Sequence, residues 1–387
     1  MKNILKRLEK DRRCIICGAP EGVDATVLAE LASEAGNRDI LMVARDAERA
    51  QRLADALGFF APEAHVVEFP AWDCLPYDRV SPNAAVAGAR LSALATLAAR
   101  APGENPVVVL TTAGALLQRV PPHEAFAGLR RALKPGDHVE TEELAHFLTR
   151  AGYHRIGTVM EPGDFAMRGD IIDIFPPGAE QPFRLDLFGD EVEQIRAFDP
   201  LTQRSSGKRD SALLTPASEV LLDEETITRF RSGWRDLFGA SQGKDPVYEA
   251  ASAGNRISGL EHWLPLFYER LEPITAYLND PVAVLDHRVL EARDTRLETI
   301  RDHYDHRRED RTGHLEDEAP TYRPVPPERL YLTELAWDNL FADSLRVELS
   351  PFAEAAAGDA IVLEAGGRAG HDFAPERQRG DINLFDE

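Results

Sequence analysis

The chain has 387 residues, 44 Lys+Arg against 66 Asp+Glu and a formal net charge of −22, with 43% hydrophobic and 28% charged residues. That length predicts two or three domains, and the composition excludes a wholly disordered chain. An acid excess this large repels phosphate, which excludes a non-specific coat for nucleic acid and leaves only weak, unspecific affinity for undamaged duplex DNA as the expectation. Cys14, Cys17 and Cys74 cannot build a disulfide framework and fit a reducing compartment. The start, Met1 to Arg7, lacks the apolar core of a signal peptide, and no window approaches the roughly eighteen apolar residues of a membrane span. A cytoplasmic protein without membrane contact is expected.

The first third alternates strands and helices. Cys14 to Cys17 reads as a strand, breaking at Gly18-Ala19-Pro20-Glu21-Gly22, and Asp24 to Ala35 as a helix with Val27, Leu28 and Leu31 on one side. Strands are predicted at Ile40–Ala44, Val66–Phe69 and Val107–Thr111, with helices at Ala47–Leu57, closed by Gly58, and at Gly88–Ala99. This spacing predicts a parallel sheet with helices on both faces. From Tyr153 the pattern changes to short strands, Met167–Phe175, Phe183–Phe188 and Glu191–Phe198, punctuated by Pro176-Pro177-Gly178 and Gly189-Asp190. They read as an antiparallel meander, a smaller α+β domain inserted in the first. Alternation resumes with a helix Glu224–Phe238, a strand Val282–Leu285 and a charged helix Val289–Arg308. The last stretch, Phe341 to Glu387, holds ten acidic and four basic residues and reads as a linker cut from something longer. The domain boundaries expected are 1–127, 128–212, 213–340 and 341–387.

Cys17 to Ala25 sits where a strand feeds a helix, the place of a phosphate-binding loop. Such a loop needs G-x-x-x-x-G-K-[ST]: glycines for close approach, Lys for charge and a hydroxyl for Mg²⁺. Aligned on Gly22, the sequence puts Cys17 at the first glycine, with Gly18 one place beyond it, Val23 at the lysine and Asp24 at the hydroxyl. Val282 to Asp286 could be the partner strand that holds Mg²⁺, but His287 stands where its second acid belongs. Both read as a nucleotide-binding fold that has lost its site, so no cofactor is expected. Cys14-x-x-Cys17 could be half a metal or redox site, yet at this spacing in a strand the two thiols face opposite ways and packing is the better reading. His303-x-x-His306 lies among charges and reads as a solvated helix surface.

The segment Glu161 to Gly178, with Met167-Arg168-Gly169-Asp170-Ile171-Ile172-Asp173-Ile174-Phe175 at its centre, continues into Phe183 to Glu193 and Ile195 to Ser205. It closely resembles the small inserted domain shared by the damage-verification protein UvrB and the bacterial transcription-repair coupling factors (Mfd). Phe69-Pro70-Ala71-Trp72, Arg90-Leu91-Ser92 and Leu116 to His123 resemble the coupling factors, and UvrB's intact phosphate loop and tyrosine-rich hairpin have no counterpart. The resemblance covers roughly residues 10 to 345. It implies the UvrB-like amino-terminal region of a coupling factor: a recruitment module that docks on UvrA without catalysing anything. RNA polymerase, duplex DNA, ATP and Mg²⁺ would be engaged by motor and polymerase-binding domains outside these residues. The alternative is an ATP-binding, helicase-like domain such as UvrB itself. By the same resemblance Arg168, Arg184 and Phe188 match positions that contact UvrA, and Arg196 is a weaker match. In Phe183–Phe188 the alternation puts Phe183, Leu185 and Leu187 on the core face and Arg184, Asp186 and Phe188 on the other. An arginine beside an aromatic on an outer face suits binding, while packing on a second face is the competing reading for Phe188. Alanine at Arg184 or Phe188 is expected to leave the melting temperature nearly unchanged.

Overall fold

In the computed structural model, which describes residues 4–101, 104–239, 245–313, 322–353 and 360–367, the apolar runs of the first third pair in parallel. Seven strands lie in the order Ile361–Glu364, Arg13–Cys17, Arg346–Leu349, Val282–Leu285, Ile40–Ala44, Val107–Thr112 and His65–Phe69. Side chains alternate across a strand, so each strand feeds two cores. Ile40, Met42, Val282 and Val284 pack with Val27, Leu28 and Leu53 from the helices Val23–Glu34 and Ala47–Phe60. Leu41, Val43, Ala283 and Leu285 pack on the opposite face with Leu91 and Leu94 from the helix Ala84–Ala98 and with Val289 and Leu297 from the helix Val289–Gly313. Cys14 and Cys17 fall into different cores, and burial pushes the Cys14 thiol up to about 12. His303 is half-buried and His306 exposed. Among the described residues no cluster of three or more His, Cys, Asp or Glu side chains could hold a metal, and no helix is long and apolar enough to cross a membrane.

Four predicted elements shift. The helix from Ala47 runs through Gly58 to Phe60 and is closed by the Ala61 N–H donating to the Leu57 carbonyl. The helix read from Gly88 begins at Ala84, where the Asn83 side chain accepts from the Val86 N–H. Met167–Phe175, read as one strand, is a hairpin of Asp164–Arg168 and Ile171–Ile174 that turns at Gly169-Asp170. The acidic end, read as a linker, supplies Arg346–Leu349 and Ile361–Glu364, which flank Arg13–Cys17 on both sides. The rest of that stretch, 354–359 and 368–387, lies outside the described residues.

The small domain is a six-stranded sheet in the order Ser205–Arg209, Glu191–Phe198, Phe183–Phe188, Ile171–Ile174, Asp164–Arg168 and His154–Arg155. One face is covered by Leu144 and Leu148 of the helix Thr141–Arg150 and by Leu133 and Leu214 of a short strand pair. Two contacts tie the helix Ala84–Ala98 to the small domain's turn at Gly178 and to Glu219, just past its last strand. Arg90, fully buried, donates to both oxygens of Glu219 at 2.7 and 3.3 Å while its guanidinium lies 4.3 Å from the Phe69 ring centroid and 5.5 Å from that of Trp72. Gly88 meets the turn at Gly178 so closely that an added Cβ would stand 2.7 Å from the Gly178 Cα. Backbone cannot yield as a side-chain tip can, so Gly88→Ala is expected to cost about 1–3 kcal/mol. Thermal denaturation checks this, and an unchanged melting temperature would show that the domains part freely here.

Candidate functional site

The loop between Arg13–Cys17 and Val23–Glu34 joins a strand to a helix, the position of a phosphate loop, but its interior is filled by other groups. Gly22, at a φ of 97°, makes the turn into the helix. Asp24 follows Val23, is 2% exposed, and takes the donors a phosphate would need: its Oδ1 accepts from the Gly22 N–H at 2.9 Å and from the Ala25 N–H at 2.7 Å. Its Oδ2 is ion-paired with Arg49, whose Nε stands 3.4 Å from Asp286 Oδ2. Arg49 and Asp286 are buried as well, so a cation from the neighbouring helix occupies the space between the loop and the strand end that would carry Mg²⁺. The remaining loop is sewn to the chain itself. The N–H groups of Gly18 and Ala19 donate to the carbonyls of Phe352 and Ser350, and the Gly18 carbonyl accepts from the Gly367 N–H. His287 lies 5.4 Å, edge on, from the Phe352 ring. The sequence showed Asp24 as out of place. It did not show Arg49, which sits in an Ala/Arg/Glu helix of ordinary surface composition.

The outer face of the small sheet gathers the arginines. Asp173 is opposite Arg184, and Arg184 is opposite Arg196, in register across three strands. Arg184 Nε and Nη2 donate to Asp173 at 2.6 and 2.9 Å, and Arg168 Nη2 donates to the same carboxylate at 2.7 Å. Arg196 grips Asp186 through two bonds of 2.7 Å. The guanidinium of Arg184 lies 4.9 Å from the centroid of Phe198, and its bonds to Asp173 raise its pKa, so it is charged at any ordinary pH. Phe188 closes the row at the strand end, 80% exposed, with the half-exposed Arg168 side chain on the neighbouring hairpin.

Arg168 and Arg184 therefore converge on one carboxylate, Arg196 extends the row, and Phe188 is no part of any core. Arg184 departs from the expectation drawn from alternation alone. It lies on the outer face, but only 14% of its side chain is exposed, and it neutralises Asp173, which is fully buried. Its removal is therefore expected to cost stability, so the expectation of an unchanged melting temperature is revised for Arg184 and kept for Phe188. Asp173 was missed as a partner. The signal was a lone acid within Ile171-Ile172-Asp173-Ile174, an apolar strand that an unpaired carboxylate would disrupt.

Residues 132–220 match the family described as the UvrB interaction domain. The chain is similar to the transcription-repair-coupling factor of Escherichia coli K12, 36% identical over 254 residues, 65% of this chain and 22% of that protein. It is 32% identical over 298 residues to that of Rickettsia bellii, 77% of this chain and 26% of the relative. With the protein of Haemophilus influenzae the identity is 35% over 267 residues, 68% and 23% of the two chains. The chain thus spans about a quarter of the length of the curated relatives it matches. The resemblance to the UvrB-like region of transcription-repair coupling factors is borne out, and so is the α/β fold with its separate antiparallel sheet.

Proposed function

We propose that this chain is a recruitment module that binds UvrA through the outer face of its small domain, residues 128–212. It thereby links RNA polymerase stalled at damage to nucleotide excision repair in the cytoplasm. The observation that carries this reading is the face itself. Within a matched UvrB interaction domain it presents an unpacked aromatic, Phe188, beside fixed arginine forks. Arginine forks suit carboxylates because they donate two parallel hydrogen bonds, so an acidic patch on UvrA is the complement. Displacement of the polymerase and translocation on duplex DNA would belong to domains beyond those described. Calorimetric titration of this chain into UvrA tests the reading: saturable binding is expected, and none at tens of micromolar would sink it.

The rival reading, an ATP-binding domain, has the loop position in its favour and the loop chemistry against it. Asp24 holds the donors at the helix start, Val23 supplies no charge, and Arg49 fills the cation position. A phosphate would have to displace an internal carboxylate and then meet its charge. Titration with a fluorescent ATP analogue and Mg²⁺ is expected to show no saturable signal, and micromolar, Mg²⁺-dependent binding would overturn the non-catalytic reading.

A further inference from the structure

We infer that Asp173 is the positioning residue of this docking face, holding Arg168 and Arg184 as one two-pronged donor ready for the partner's carboxylates. The inference rests on the UvrA reading and deepens it. Asp173 has no exposed side-chain surface, so it cannot touch a partner, yet three N–H donors from two arginines end on its two oxygens at 2.6 to 2.9 Å. Without it, guanidinium groups of like charge would share a small surface with nothing between them. Arg184 is fixed from a second side by the Phe198 ring. Arg168, half exposed, spends one N–H on Asp173 and keeps its others for a partner. Ordering long side chains is a cost that association otherwise meets, and a buried carboxylate that has already ordered them removes it. The neighbouring pair Asp186–Arg196 repeats the device on the next strand, so the face offers rigid, partly neutralised forks rather than loose cations.

The test measures UvrA affinity and thermal stability together. Asp173→Asn keeps the shape and loses the charge, and UvrA binding should weaken at least tenfold. In a chain carrying Arg168→Ala and Arg184→Ala, Asp173→Asn should change the affinity less than twofold, because its effect passes through those side chains. A merely structural role would instead lower the melting temperature of Asp173→Asn while its folded fraction bound UvrA within twofold of wild type. Should Asp173→Asn fold poorly, Arg168→Lys decides. The charge stays and the site is half exposed, so the melting temperature should hold, while a point ammonium cannot bond Asp173 and the partner as a planar fork does, and affinity should fall about fivefold or more. Wild-type affinity in Asp173→Asn, or in Arg168→Lys, overturns the positioning role and leaves UvrA docking standing. Failure of the unaltered chain to bind UvrA overturns both.

Discussion

Replacing Arg49 by alanine is expected to destabilise the chain by about 3–5 kcal/mol, because the buried cation between Asp24 and Asp286 would be lost. Asp24, in the first turn of the helix Val23–Glu34, is 2% exposed, and Asp286, just past the strand Val282–Leu285, is 6% exposed, so neither carboxylate stands in water. Asp24 keeps its backbone donors from Gly22 and Ala25, while Asp286 keeps Arg45 at 3.6 Å. These residual contacts place the cost at the lower end of that range. Urea denaturation at neutral pH measures it. The companion variant, Arg49→Met with Asp24→Asn and Asp286→Asn, removes the three buried charges at once and should recover most of the loss, since a buried ion cluster exchanged for neutral groups of similar size is often close to neutral in stability. A loss under about 1 kcal/mol for Arg49→Ala would mean that water reaches the site, and that a phosphate could reach it too.

Phe188→Ala and Arg184→Ala should part company. Phe188 is exposed and packs on nothing, so its removal should leave the melting temperature within error and weaken UvrA binding by about 2 kcal/mol, roughly thirtyfold. Arg184→Ala should weaken binding at least as much and also lower the melting temperature by several degrees, because Asp173 would keep a single, half-exposed partner in Arg168. Arg184→Glu should be worse on both counts, placing a second carboxylate beside the buried one. Calorimetry against UvrA paired with thermal unfolding of each variant separates the two effects. Normal binding by Phe188→Ala would show that the aromatic lies outside the contact.

Elements whose local chemistry agrees with their surroundings were legible in the sequence. Phe183–Phe188 and Glu191–Phe198 could be placed to the residue because alternation in the first and an apolar-rich run in the second meet at a Gly189-Asp190 turn. Val282–Leu285 was legible as a short apolar run between turn signals. Arg346–Leu349 and Ile361–Glu364 were not, since runs of four residues amid Ala, Gly and acid are too short for their pattern to stand out. They are strands because Arg13–Cys17 offers both of its edges. The candidate site divides in the same way. That Arg184 and Phe188 share a face follows from even spacing within one strand, but that Arg168 and Arg184 meet on Asp173 depends on a hairpin at Gly169-Asp170 that apolar runs on either side conceal. Arg49 belongs to the same class of miss. Its partners lie 25 and 237 positions away, and nothing in its own helix marks it as buried.

The pairing of Arg13–Cys17 with strands from the other end of the chain also fixes an order of events in synthesis. Arg13 has Arg346 as its neighbour, and the second edge waits for Ile361 to pair with Cys14. At the ~5–20 residues per second of a ribosome, the first strand stays without either partner for roughly 20–60 s. The hairpins between Asp164 and Arg209 close over short loops and can form during that wait. The small sheet is thus expected to be folded on the nascent chain while the larger sheet is still open. Throughout that interval the Cys14-Ile15-Ile16-Cys17 run is exposed to chaperones, and to any strand that reaches it before Val347 does.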